Sequence, residues 1–122
     1  MSISSESEPT TVIDECIEGD AVIIRVRDRR LDTRSAPLVG KRLSLLIHSG
    51  HRRMALEMSR VELIDSSGLS VLVSVEHLLG GHGGFVISSP SETVMSILRL
   101  TRLARILRVY PNEQQALAAL SV

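Results

Sequence analysis

The run Ala21-Val22-Ile23-Ile24-Arg25-Val26 is nearly continuous in apolar, mostly β-branched side chains, and it constrains everything around it. A strand of this kind has no polar face to offer water, so other elements must cover it on both sides. The rest of the chain supplies that cover by alternation. Val12 to Ile17 reads as a short first strand. After the charged loop Arg27 to Arg30, Asp32, Thr33 and Ser35 offer N-caps, and Pro37 is tolerated in a first helical turn. Val39, Leu43, Leu46 and Ile47 then recur at spacings of three and four on one face, until Gly50 supplies a stop. Met54, Leu56 and Met58 alternate as in a strand, and Val61 to Ile64 extends their apolar character. A second helix is expected from about Ser67 to Leu79, closed by the glycine cluster Gly80 to Gly84 acting as a C-cap and turn. Phe85-Val86-Ile87 reads as the next strand and Ser88 to Ser91 as a turn. A third helical segment with Val94, Ile97 and Leu98 on its face runs to Leu107, and Arg108-Val109-Tyr110 forms an edge strand. Asn112 with Gln115 resembles a capping box introducing a terminal helix with Ala116, Leu117 and Leu120 inward. Alternation of this order needs crossover connections, so the class is α/β: a single domain with a mixed β-sheet of four to five strands backed by α-helices.

Length and charge narrow the function. At 122 residues one domain is expected, with residues 1–10, rich in Ser and Glu and containing Pro9, as a flexible tail and residues 11–122 as the domain. Fourteen basic and fourteen acidic residues cancel, leaving no global field to draw the chain to nucleic acid or an anionic membrane. Phe85 and Tyr110 are the only aromatics, too few for a base-stacking sheet, so no nucleic-acid partner is expected. Apolar runs fall far short of the roughly 18 residues of a membrane span, so no direct insertion is expected. Neither a signal segment nor an internal disulfide is readable around the lone Cys16, and a cytoplasmic location follows as the expectation.

The segment Val61-Glu62-Leu63-Ile64-Asp65-Ser66-Ser67-Gly68-Leu69 carries the functional reading. An apolar run enters Asp-Ser-Ser-Gly and then an amphipathic helix. Ser67, Ser70, Ser74 and His77 fall within an arc of roughly 80° at 3.6 residues per turn, so Ser67 opens a polar stripe. A phosphoryl group on its hydroxyl would meet the positive end of a helix and, as the segment reads, unpaired backbone N–H donors. Read from residue types alone, Asp65, Ser66 and Ser67 do no more than cap a helix.

The same nine residues closely resemble the signature of STAS domains that act as anti-sigma factor antagonists. Leu31-Asp32 followed by Ala36-Pro37, then Ser88-Ser89-Pro90 and Tyr110-Pro111-Asn112-Glu113, match the family further along the chain. The resemblance implies a binding module and not an enzyme, with no cofactor. Ser67 becomes the phosphoacceptor, and Asp32, Asp65, Ser66, Gly68, Leu69 and Ser70 the partner-binding surface; for Asp32, capping the first helix is an equal reading. The implied partners are an anti-sigma factor serine kinase, bound only when Ser67 is unphosphorylated, and a PP2C-type phosphatase. A STAS subunit of a stressosome or of a lipid-transport ABC complex is the alternative. Arg29-Arg30 in place of a Gly-acid pair, and Glu57 where Asp is common, depart from the family pattern.

Rival sites are weak. His48, His51, His77 and His82 lack ligand spacing, so no metal site is expected. Asp65 stands where a nucleophile elbow needs Gly, and Gly40-Lys41 lacks the rest of a phosphate loop. Arg99, Arg102, Arg105 and Arg108 recur every third residue and are expected to form a solvated face.

Overall fold

The computed structural model describes residues 12–120; the expected tail at residues 1–10 lies outside them. The predicted α/β architecture is present. Strands β1 (Ile13–Glu18), β2 (Ala21–Val26), β4 (Met54–Glu57), β6 (Phe85–Ser88) and β7 (Val109–Tyr110) form a five-stranded sheet in the order β1-β2-β4-β6-β7. The β1–β2 hairpin is antiparallel and every other pair is parallel, so the sheet is mixed. Its parallel steps are bridged by α1 (Ala36–His48), α2 (Ser66–Leu79) and α3 (Glu92–Leu100), and the chain closes with α4 (Glu113–Leu120).

Strand alternation divides the interior in two. Val22, Ile24, Met54, Leu56, Phe85 and Ile87 project into the main core, where they meet Val39 and Leu43 of α1, Leu72 and Val75 of α2, and Val94 and Leu98 of α3. The opposite face carries Ala21, Ala55 and Val86, which pack on Ala116 and Leu120 of α4, and Ile23 stands beside Ala55 in register. The continuous apolar character of β2 is thereby explained, because it is covered on both sides. Asn112 caps α4 as its spacing predicts, its Oδ1 accepting from the Gln115 N–H at 2.8 Å.

Three local readings need correction. Arg30 does not belong to a loop: β3 (Arg30–Leu31) pairs in parallel with β5 (Leu63–Ile64) as a separate two-stranded sheet. Val61 to Ile64 therefore does not prolong β4; the chain turns after Glu57, with the Val61 N–H donating to the Met58 carbonyl at 3.0 Å. The third helix ends at Leu100 and not at Leu107. There Thr101 Oγ1 donates to the Ile97 carbonyl at 2.8 Å, Arg102 adopts a left-handed φ of 66°, and a short 3₁₀ turn follows at Leu103–Arg105. Arg99, Arg102 and Arg105 are exposed as expected, but Arg108 is half-buried.

Glycine closes α2 as anticipated, in a particular way. Gly83 takes a left-handed φ of 72°, and a Cβ on Gly84 would stand 2.1 Å from the Arg52 carbonyl oxygen, so β6 can enter the sheet only past a bare backbone.

Leu56 lies at 0% exposure on the central strand β4. Leu56→Ala should lower unfolding free energy by about 2–5 kcal/mol in urea titration with little change in slope; a loss below about 0.5 kcal/mol would contradict a core centred on β4.

Candidate functional site

The short β3–β5 sheet brings two distant segments together. β3 leads into the loop Asp32–Ser35 and β5 into the first turn of α2, and parallel pairing sets the two exits side by side. Asp65 joins them. Its Oδ1 accepts from the backbone N–H groups of Ser67 and Gly68, at 2.8 and 3.2 Å, and so caps α2. Its Oδ2 accepts from the Thr33 N–H at 3.2 Å and the Thr33 hydroxyl at 3.3 Å. Thr33 Oγ1 in turn lies 3.5 Å from Ser67 Oγ. Thr33 was absent from the expected site residues, because only the unforeseen β3–β5 pairing carries it to Asp65.

Asp32 is occupied within its own loop. Its Oδ1 accepts from the Arg34 and Ser35 N–H groups at 3.1 and 3.2 Å, and its carbonyl accepts from Ala36 N–H at 2.7 Å. Ser35 stands at the N-cap of α1, but its hydroxyl turns away to donate to the Arg30 carbonyl at 2.6 Å, so the expected Ser35 side-chain cap is not made. The Ser35 backbone hydrogen bond holds the Asp32 carboxyl below its ordinary range, with the Arg34 N–H, the Ser35 hydroxyl and the nearby Arg34 charge adding to it against a desolvation effect.

Asp65, Ser66 and Ser70 are exposed, Ser67 and Leu69 half-buried, and Gly68 buried. Gly68 sits under the site. A Cβ there would stand 2.4 Å from the Leu31 carbonyl oxygen and 2.6 Å from Ile64 Cγ1, so its missing side chain is what lets α2 rest on both short strands. Ser70 and Ser74 face a shallow groove between α1 and α2, where Gly40 approaches Val71. The expectation that phosphate at Ser67 would find free backbone donors fails for Ser67 and Gly68, whose N–H groups already serve Asp65. A phosphoryl group there would compete with a carboxylate for them.

Of the histidines, His48 Nδ1 lies 2.8 Å from the Ser44 carbonyl in its own helix. Among the described residues no three His, Cys, Asp or Glu side chains gather as a metal site, and no helix is long and apolar enough to cross a membrane.

The STAS domain family model matches residues 11–116. A Thermotoga maritima protein named as an anti-sigma factor antagonist is 33% identical over 100 residues, covering 80% of this chain and 88% of the relative. The crystal structure of a Thermotoga maritima protein described the same way superposes with a TM-score of 0.80 at 30% identity, covering 90% of this chain and 95% of the other. The phosphorylated form of the Bacillus cell fate determinant SpoIIAA shares the fold, with a TM-score of 0.67 at 19% identity over 87% of this chain and 96% of that one.

Two measurements check the site. Gly68→Ala should destabilise the chain by about 1–3 kcal/mol, because the nearest obstacle to the added methyl is the Leu31 backbone carbonyl, which cannot swing aside as a side chain can; a neutral result would contradict the close seat of α2 on β3 and β5. Since the folded carboxyl of Asp32 titrates below the unfolded value of about 3.9, its stabilisation is present above that value and is lost as pH falls through the folded one. NMR titration should place the Asp32 midpoint below about 3.9, and Asp32→Asn should flatten the acid limb of the stability curve. An unshifted midpoint would dissolve the Asp32–Ser35 loop as described.

Proposed function

The chain belongs to the STAS domain family, among its anti-sigma factor antagonists, and from that premise we propose that it binds an anti-sigma factor serine kinase in its unphosphorylated form and is released when that kinase phosphorylates Ser67. The family is regulatory, and this chain transmits a state without catalysing a reaction. Binding the kinase frees the sigma factor; a PP2C-type phosphatase removes the phosphate and restores the binding form. The exchange takes place in the cytoplasm.

One observation carries the reading: the two oxygens of Asp65 lock the Thr33 loop to the first turn of α2, which leaves the Ser67 hydroxyl 3.5 Å from Thr33 Oγ1. Asp32, Asp65, Ser66, Leu69 and Ser70 surround that hydroxyl as a rigid, acidic docking surface, with Gly68 seating it from beneath. Phosphorylation adds about −1.5 to −2 charges beside Asp65. With the Ser67 and Gly68 N–H groups already held by a carboxylate, the new anion is poorly neutralised. It acts by bulk and repulsion on the docked partner, and the sheet need not change.

Phosphopeptide mapping after incubation with the kinase encoded beside this chain's gene, or one captured with the unphosphorylated protein, tests the site. Label should fall on Ser67, and Ser67→Ala should abolish it while retaining kinase binding, since losing one hydroxyl in the first turn costs at most about 2 kcal/mol. Ser67→Asp should bind more weakly. Label on Ser66 would overturn the acceptor, and equal binding of phosphorylated and unphosphorylated chains would overturn the switch.

A further inference from the structure

A row of polar side chains crosses all five strands of the main sheet on the face that carries α4. In register, Asp14 stands opposite Arg25, Arg25 beside Glu57, Glu57 beside Ser88, and Ser88 beside Tyr110. Side chains of paired residues project to the same face. Two groups at the centre of this row make no hydrogen bond with a described residue: the Ser88 hydroxyl, which is buried, and the Glu57 carboxyl, which faces a cavity. Glu57 is 8% exposed and makes no hydrogen bond or ion pair with any described residue. Ser88 is 0% exposed, and its Oγ also lacks a partner. Buried polar groups are nearly always hydrogen-bonded, so a mostly buried carboxyl with no protein partner asks what satisfies it from the cavity side.

Glu57 opens into a cavity of about 230 Å³ at the carboxyl ends of β2 and β4. The carboxyl ends of parallel strands are where open α/β sheets commonly take ligands. Two ion pairs form part of its wall. Arg25 holds Glu113 of α4 through two bonds of 2.7 and 2.9 Å, and Arg27 holds Asp14 at 2.5 Å. These four charges cancel in place. The wall then retains one carboxyl, that of Glu57, and one guanidinium, that of exposed Arg60, which has no ion-pair partner among the described residues. Ser59 lines the cavity between them in sequence.

The complement of a buried carboxyl and a separate exposed guanidinium is a small zwitterion. Too few acidic or His side chains converge to hold a divalent cation. The volume lies below the roughly 300–1,000 Å³ of drug-sized sites and suits a molecule of a few heavy atoms. We propose that this cavity binds a free α-amino acid, its ammonium on Glu57 and its carboxylate on Arg60. The site is separate from the Ser67 surface and does not depend on the phosphorylation reading.

NMR titration of the purified full chain with glycine, alanine, serine and proline tests it, with methylamine and acetate as half-ligands. At least one amino acid should shift the amides of Arg25, Glu57, Ser59 and Arg60 saturably near about 1 mM, and each half-ligand should bind at least about tenfold more weakly. Glu57→Gln, which keeps size and shape, should weaken binding about tenfold or more; Arg60→Ala, at an exposed position, should weaken it too and keeps the test valid if the first variant unfolds. No saturable shift with any amino acid would leave the cavity to water and overturn the proposal. So would binding unchanged in Glu57→Gln or Arg60→Ala, or methylamine binding as tightly as the amino acids.

Discussion

The Asp65 carboxylate is the interaction on which the site depends. One oxygen caps α2 through Ser67 and Gly68, and the other takes two bonds from Thr33, so a single side chain closes a link between segments 32 residues apart. An Asp at a helix N-cap is common, but here its spare oxygen also orders the loop that follows β3. The β3–β5 pair brings the two ends within reach, and the Asp65 N–H donating to the Leu31 carbonyl at 3.3 Å continues that pairing into the site.

Gly68 is the steric counterpart of this link. Capping fixes where α2 begins, and the absence of a Cβ fixes how near it lies to Leu31 and Ile64. The half-buried Ser67 hydroxyl is the consequence: held at the surface, close to Thr33, in a first turn where the Ser67 and Gly68 N–H groups already serve Asp65. Charge added at that point would compete with Asp65 for the Ser67 and Gly68 N–H groups. The larger sheet supplies rigidity. Its residues Leu56 and Ile87, both at 0% exposure, anchor its centre.

Most of the architecture was legible because periodicity reports burial. The doubly covered run at β2, the face of α1 and the glycine close of α2 stand where their patterns place them. The failures share a cause. Two-residue strands have no periodicity, so Arg30 passed for charged loop and Leu63–Ile64 for no more than an apolar run before the motif. With that pairing hidden, Thr33 had no visible reason to meet Asp65, and the donors promised to a phosphate looked free. The helix ending at Leu100 was missed for a similar reason: Arg102 has a left-handed backbone that arginine's composition does not signal. The family motif singles out Ser67, Asp65 and their neighbours, whereas their hydrogen bonds become visible only in the fold. Glu57 was visible only as a departure from family pattern; its burial beside Ser88 became apparent through strand register.

The central claim is that the link at Asp65 holds Ser67 so that modification there acts locally. Comparing amide chemical shifts of the chain before and after stoichiometric phosphorylation tests it most directly. Changes should concentrate at Thr33 and from Asp65 to Ser70, with the amides of β2, β4 and β6 unmoved. Shifts spread through those three strands, or an undisturbed Thr33, would contradict the account.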